Sequence, residues 1–272
     1  MGFYTMSLVN LQTLQEKSTT LAAELGLVVK TLSDKELYRF GRAFERQFLK
    51  EFAPRDMVDI HIRHMGEYLM GAMVAKDQMG SEIDGEQPMS AKICGPIPIR
   101  ACYLLVGDDW EDVWGIYAGV QGAWSTGAPQ NWIHNGTTLA GGAGNLPIRI
   151  GTNAVHVVTG LASAHASPKI ESVAFWIDGK PKSVLLPFRA QKDVPYTIHI
   201  KELDNAYILK KGTTIMGNIF ISSAFGAPSA FQTDYPYLWG VSYIAEPQAR
   251  VHDPVTLVGT AANRTANDIA FP

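Results

Sequence analysis

The strongest constraint on the fold is a run of strand-like segments between residues 171 and 224. Residues 172–177 read Ser-Val-Ala-Phe-Trp-Ile, Asp178-Gly179 follows, and residues 183–188 return as Ser-Val-Leu-Leu-Pro-Phe. Asp-Gly supplies the positive φ angles of a tight primed turn, so the pair reads as a β-hairpin. Residues 196–200 then alternate in period two. Asp204-Asn205 and Lys211-Gly212 punctuate the chain, and residues 213–221 form another segment rich in β-branched side chains. The run reads as a meander of consecutive strands.

Upstream, the pattern is helical. Leu8, Leu11, Leu14, Leu21 and Leu25 recur near helical spacing, with Ser7 as N-cap and Gly26 as C-cap. Ser33-Asp-Lys-Glu36 is a capping box, followed by the apolar stripe Leu37, Phe40, Phe44, Phe48 and Phe52, which Pro54 stops. A third helix is expected over residues 56–76, where Gly66 and Gly71 either weaken it or permit close packing. The stripe of Phe40, Phe44 and Phe48 reads as core or as a surface that packs on protein. Residues 77–96 carry Gly80, Gly85, Pro88, Gly95 and Pro96, which break the periodicity and set a boundary near residue 92.

Beyond that boundary residues 97–106 read as a strand, residues 107–112 as an acidic turn, and residues 152–161 and 238–244 as further strands. The segment 119–151 is rich in Gly, Asn and Thr, and is too long for a plain connection. The organisation expected is a helical segment at 1–92, a β-sandwich at 93–258 and an extended tail at 259–272.

Charge and cysteine content narrow the function classes. The net charge is −3, and residues 1–52 hold seven Lys/Arg against six Asp/Glu, so no strong nucleic-acid binding is expected. No run of 18 apolar residues is present, and the start of the sequence lacks the basic and apolar regions of a signal peptide. Cys94 and Cys102 read as buried free thiols, since two cysteines make no disulfide framework.

No catalytic, cofactor or metal site is expected. His61, His64 and Glu67 fall at i, i+3 and i+6, not at the i, i+4 spacing that aims two imidazoles at one metal, so they read as solvated or capping side chains. His134, His156, His165, His199 and His252 are isolated, without the His-x-His pair of a metal-binding cupin. Gly122-Ala-Trp-Ser-Thr-Gly127 misplaces a glycine for a nucleophile elbow, and Gly141-Gly-Ala-Gly144 lacks the Gly-Lys-Ser/Thr of a phosphate loop. Trp110, Trp114, Trp124 and Trp132 fall within 23 residues and form the candidate binding surface, because flat indoles stack on sugars or enter a partner's pocket.

A neutral helical arm, eight to ten short strands with long loops, and a polar tail together resemble the jelly-roll coat proteins of icosahedral viruses. The resemblance covers the outline of the chain and rests on no residue motif. It implies a mainly-β antiparallel sandwich preceded by helices. It also implies a non-enzymatic, self-assembling shell subunit, made in the host cytoplasm and residing in the virion. Its partners would be copies of itself and other virion proteins, with no cofactor. The alternative expectation is a carbohydrate-binding sandwich that uses the tryptophan-rich loops.

Overall fold

A computed structural model describes residues 7–48, 55–80, 83, 93–99, 103–106, 109–112, 129–133, 148–164, 170–187, 198–221 and 235–245. Four helices come first: α1 (Leu8–Glu24), α2 (Asp34–Phe48), α3 (Arg55–Arg63) and α4 (Met65–Met79). Eleven strands follow among the described residues: β1 (Ile93–Pro98), β2 (Tyr103–Val106), β3 (Asp109–Asp112), β4 (Pro129–Ile133), β5 (Ile148–Arg149), β6 (Ala154–Ala164), β7 (Ile170–Ile177), β8 (Lys180–Pro187), β9 (Ile198–Leu209), β10 (Thr214–Ile221) and β11 (Tyr235–Ala245).

Local chemistry sets the helix ends. Ser7 Oγ accepts from Asn10 N–H at 3.2 Å, and Gly26 takes a left-handed φ of 66° just past the end of α1. The Ser33–Glu36 capping box forms, with Ser33 N–H donating to Glu36 Oε2 at 2.8 Å and Glu36 N–H to Ser33 Oγ at 3.4 Å. The single helix expected over 56–76 is instead two, because His64 at φ −92°, ψ 11° turns the chain between α3 and α4.

The hairpin is present as expected. Asp178 and Gly179 have φ of 51° and 71°, and Ile177 pairs with Lys180. The meander is not. β7 and β8 belong to an antiparallel sheet ordered β4-β10-β7-β8, with β5 also on β10, whereas β9 joins a second sheet ordered β1-β11-β6-β9. Nor does Asp204-Asn205 end a strand, since β9 runs through it to Leu209. The acidic turn at 107–112 is partly strand, with β3 pairing back on β2.

The expectation of a mainly-β jelly-roll sandwich with a helical arm in front is corrected to a mixed α/β fold with unclosed antiparallel sheets. What overturns it is the helix layer. An arm would leave its helices half exposed, but Tyr68 to Ala75 of α4 are buried on every side. They share one core with Phe40, Phe44 and Phe48 of α2, Leu11 of α1, Ile93 of β1, Val155 and Val157 of β6, and Val241 and Tyr243 of β11. The core therefore runs across residue 92. This architecture removes the basis of the coat-protein resemblance, and with it both the shell-subunit and the carbohydrate-binding expectations.

Gly71 makes that core possible. A Cβ there would lie 2.2 Å from Val157 Cγ2 and 3.1 Å from Tyr243 Cε2, so α4 sits directly on the sheet. Tyr243 Oη also donates to the Tyr68 carbonyl at 2.6 Å, tying the last described strand to the middle of α4.

A second tie is polar. Glu36 is almost fully buried, and its carboxylate accepts from Lys76 Nζ at 2.6 Å, Ser33 Oγ at 2.8 Å and Ile83 N–H at 3.1 Å. Burial alone would raise this carboxyl, but Lys76, then Ser33 and Ile83, outweigh it and hold it below the ordinary glutamate range.

Two outcomes follow. Ala is the better helix former by about 1 kcal/mol, yet Val157 is β-branched and cannot swing away. G71A should therefore lower stability by about 1–3 kcal/mol in urea denaturation. E36Q leaves Lys76 facing a neutral group and should cost about 2–4 kcal/mol. The Glu36 contribution is fully present above the unfolded value near ~4.3 and is lost as pH falls through the lower folded one, so E36Q should flatten the acid limb of a stability–pH curve.

Candidate functional site

A group of ionisable and aromatic side chains converges where α3, α4, β6, β9 and β11 meet. His61 lies on the last turn of α3 and is buried, not solvated as its sequence pattern suggested. Its ring stacks on Trp239 of β11, with centroids 4.7 Å apart and planes 23° off parallel, and packs against Phe48 of α2 at 4.3 Å. Its Nδ1 is 3.0 Å from Tyr68 Oη, which is 3.0 Å from Thr159 Oγ1 of β6. One assignment uses every partner: His61 Nδ1–H donates to Tyr68, Tyr68 O–H to Thr159, and Thr159 O–H to the Trp239 carbonyl at a long 3.5 Å. The indole Nε1–H of Trp239 is buried without a partner among the described residues.

This box favours neutral groups. Burial, with the nearby His64 adding to it, lowers His61 to about 3. Burial likewise pushes the Tyr68 phenol well up, although Thr159 pulls the other way.

Three residues on, the surroundings reverse. His64 occupies the N-cap position of α4, but its side chain makes no cap hydrogen bond. Its Nε2 lies 3.2 Å from Glu202 Oε2 of β9, and its Nδ1 lies 3.6 Å from Glu67 Oε1, ion-pair range without a hydrogen bond. Arg63 takes the same Glu202 carboxylate with two donors, Nε at 3.2 Å and Nη2 on the other oxygen. Glu67, then Glu202, hold the His64 imidazole above its ordinary range against the opposing pull of burial. Arg63 foremost, with His64 behind it, holds Glu202 low. On the sheet face opposite α4, His156 Nδ1 lies 2.7 Å from Ser242 Oγ, both residues buried.

The residues marked in the sequence fare differently. Phe40, Phe44 and Phe48 are core, at most 4% exposed, with successive ring centroids 6.2 and 5.1 Å apart, so they offer no binding surface. Trp110 lies in β3 and Trp132 in β4, while Trp114 and Trp124 fall outside the described residues. Tail residues 259–272 fall outside them as well. Sequence reasoning saw His61, His64 and Glu67 but missed Tyr68, Thr159, Glu202 and Trp239 as their partners. The i, i+7 relation of His61 and Tyr68 was the one local signal. Glu202 is 138 residues from His64.

Among the described residues no group of three or more His, Cys, Asp or Glu is placed to hold a metal ion, and no helix is long and apolar enough to cross a membrane. No family model, curated protein or solved structure matches the chain. The functional reading therefore rests on geometry.

The two histidines should be distinguishable by their ring proton shifts in an NMR titration. His61 should stay neutral down to about pH 4, since its value is lowered to about 3. Y68F removes the middle of the relay and strands the His61 Nδ1–H. It should cost about 1–3 kcal/mol in thermal or urea unfolding.

Proposed function

We propose that the chain is a non-catalytic association module whose outer helical face binds a second copy of itself. The observation that carries this reading is where apolar surface remains. The helical layer leaves Val9, Leu21, Leu25, Val28 and Tyr38 in water, with Val9, Val28 and Tyr38 each at least 60% exposed. Leu21, Leu25 and Val28 follow at i, i+4 and i+7 around the end of α1. Leu21, Leu25 and Val28 lie within eight residues of one another, and exposed apolar side chains that cluster mark interaction surfaces.

The charges of that face favour self-association. Glu16 and Lys17 are adjacent and exposed on α1. Opposite charges side by side on one helix can pair with the same two residues of a second copy.

The non-catalytic part draws support from the polar cluster. His61 is held neutral by burial, and Tyr68 is held far from its ionised form. Neither exchanges a proton readily near neutral pH, as a general acid or base must, and His64 beside them is engaged by Glu67 and Glu202.

Sedimentation of the purified chain should show a concentration-dependent dimer. The double variant L25Q/V28Q, which keeps negative charge away from the C-terminal end of α1, should sediment as a monomer with unchanged circular dichroism. A wild-type chain that stays monomeric at the highest soluble concentration would sink the reading.

A further inference from the structure

We infer that the corner between α3 and α4 is a pH-sensitive clasp, in which His64 adds to the hold of Arg63 on the edge strand β9 through Glu202 near neutral pH and withdraws its share toward alkaline pH. The geometry is that of a latch. His64 is the single residue that breaks the helix, so its ring hangs at the joint and reaches across to the sheet, with its side chain only 11% exposed. β9 ends the order β1-β11-β6-β9 and has a hydrogen-bonded neighbour on one side only among the described strands. Like β1 at the other edge, it has one open side that an outside contact can hold.

Charge counting gives the gate its direction. Facing His64 are Arg63 from α3, with Asp59 acting on Arg63 from the same helix, Glu67 from α4 and Glu202 from β9. β6 and β11 contribute Thr159 and Trp239 to the adjoining box, where His61 is uncharged. With His64 protonated, it and Arg63 balance the two glutamates. Once it is neutral, Arg63 alone faces both, and the carboxylates repel across the joint.

The folded state raises the His64 value, so it binds the proton more tightly than the unfolded chain does. The stabilisation is then fully present below about 6.5 and disappears as pH rises through the folded value. His61 works oppositely. Its lowered value favours the unfolded chain increasingly as pH drops below about 6.5. The two histidines together confine the firmest closure to near-neutral pH.

The test combines ring titration with amide hydrogen exchange, corrected for intrinsic rates, at about pH 6.5, the ordinary histidine value, and at about pH 8.5. In the wild-type chain His64 should titrate above the ordinary histidine value. Protection in Ile198–Leu209 should fall several-fold at the higher pH, while β7 and β10 change little. H64Q should show the lower protection at both pH values. E202Q removes one of the two carboxylates beside His64 and should bring its titration down toward the ordinary value. Three results would each overturn the clasp: His64 titrating at or below the ordinary value, β9 protection that does not change with pH in the wild type, or the same loss persisting in H64Q.

Discussion

The fold depends on α4 lying flat against the β1-β11-β6-β9 sheet, and that contact depends on a missing side chain. With no Cβ at Gly71, the helix backbone meets Val157 and Tyr243 at van der Waals distance. Eight consecutive α4 residues are thereby removed from water. The remaining helices are laid over this pair. α1 leans on α4 through Ser18 Oγ, which donates to the Gly66 carbonyl at 3.0 Å. α2 is fixed by its phenylalanine stripe below and by Glu36, which uses one carboxylate to cap its own helix, hold Lys76 of α4 and order the backbone at Ile83. Apolar burial supplies the driving force of such a core, and the buried carboxylate fixes the relative placement of its parts.

The two histidines of the α3–α4 corner show how far environment outweighs residue type. They stand three positions apart on nearly the same helical path. One is enclosed by Phe48, Tyr68 and Trp239, the other by Glu67, Glu202 and Arg63. Aromatic enclosure removes the charge, and carboxylate enclosure retains it. The difference originates in the turn at His64, which aims the second ring at the sheet edge instead of into the aromatic box.

Local features were legible in the sequence. The Ser7 and Ser33 caps, Gly26 past α1 and the Asp178-Gly179 turn each rest on chemistry within about four residues, and each appears where the pattern placed it. Features decided by distant partners were not. Period-two alternation marks β9 as a strand but does not say which sheet it joins, and it leaves the hairpin's sheet for β6. The Phe40–Phe44–Phe48 stripe fits a core or an interface equally well until α4 and Tyr68 are seen against it. Counting strands led to a β-sandwich with an appended arm, because an apolar helix buried among other helices and one lying on a sheet have the same periodicity. Glu202 carries no local mark of its role, since nothing near it in the chain announces Arg63 or His64.

The hydrogen bond from Tyr243 to the Tyr68 carbonyl spans 175 residues, and β11 lies between β1 and β6. During synthesis the helices emerge first, with the apolar side of α4 waiting for a strand the ribosome has not yet made. The middle of its sheet cannot be filled until residue 245 has been translated and released, so much of that surface stays bare through most of elongation. A chain that stops short of β11 lacks the strand that joins β1 to β6 and that carries the Tyr243 tie to α4.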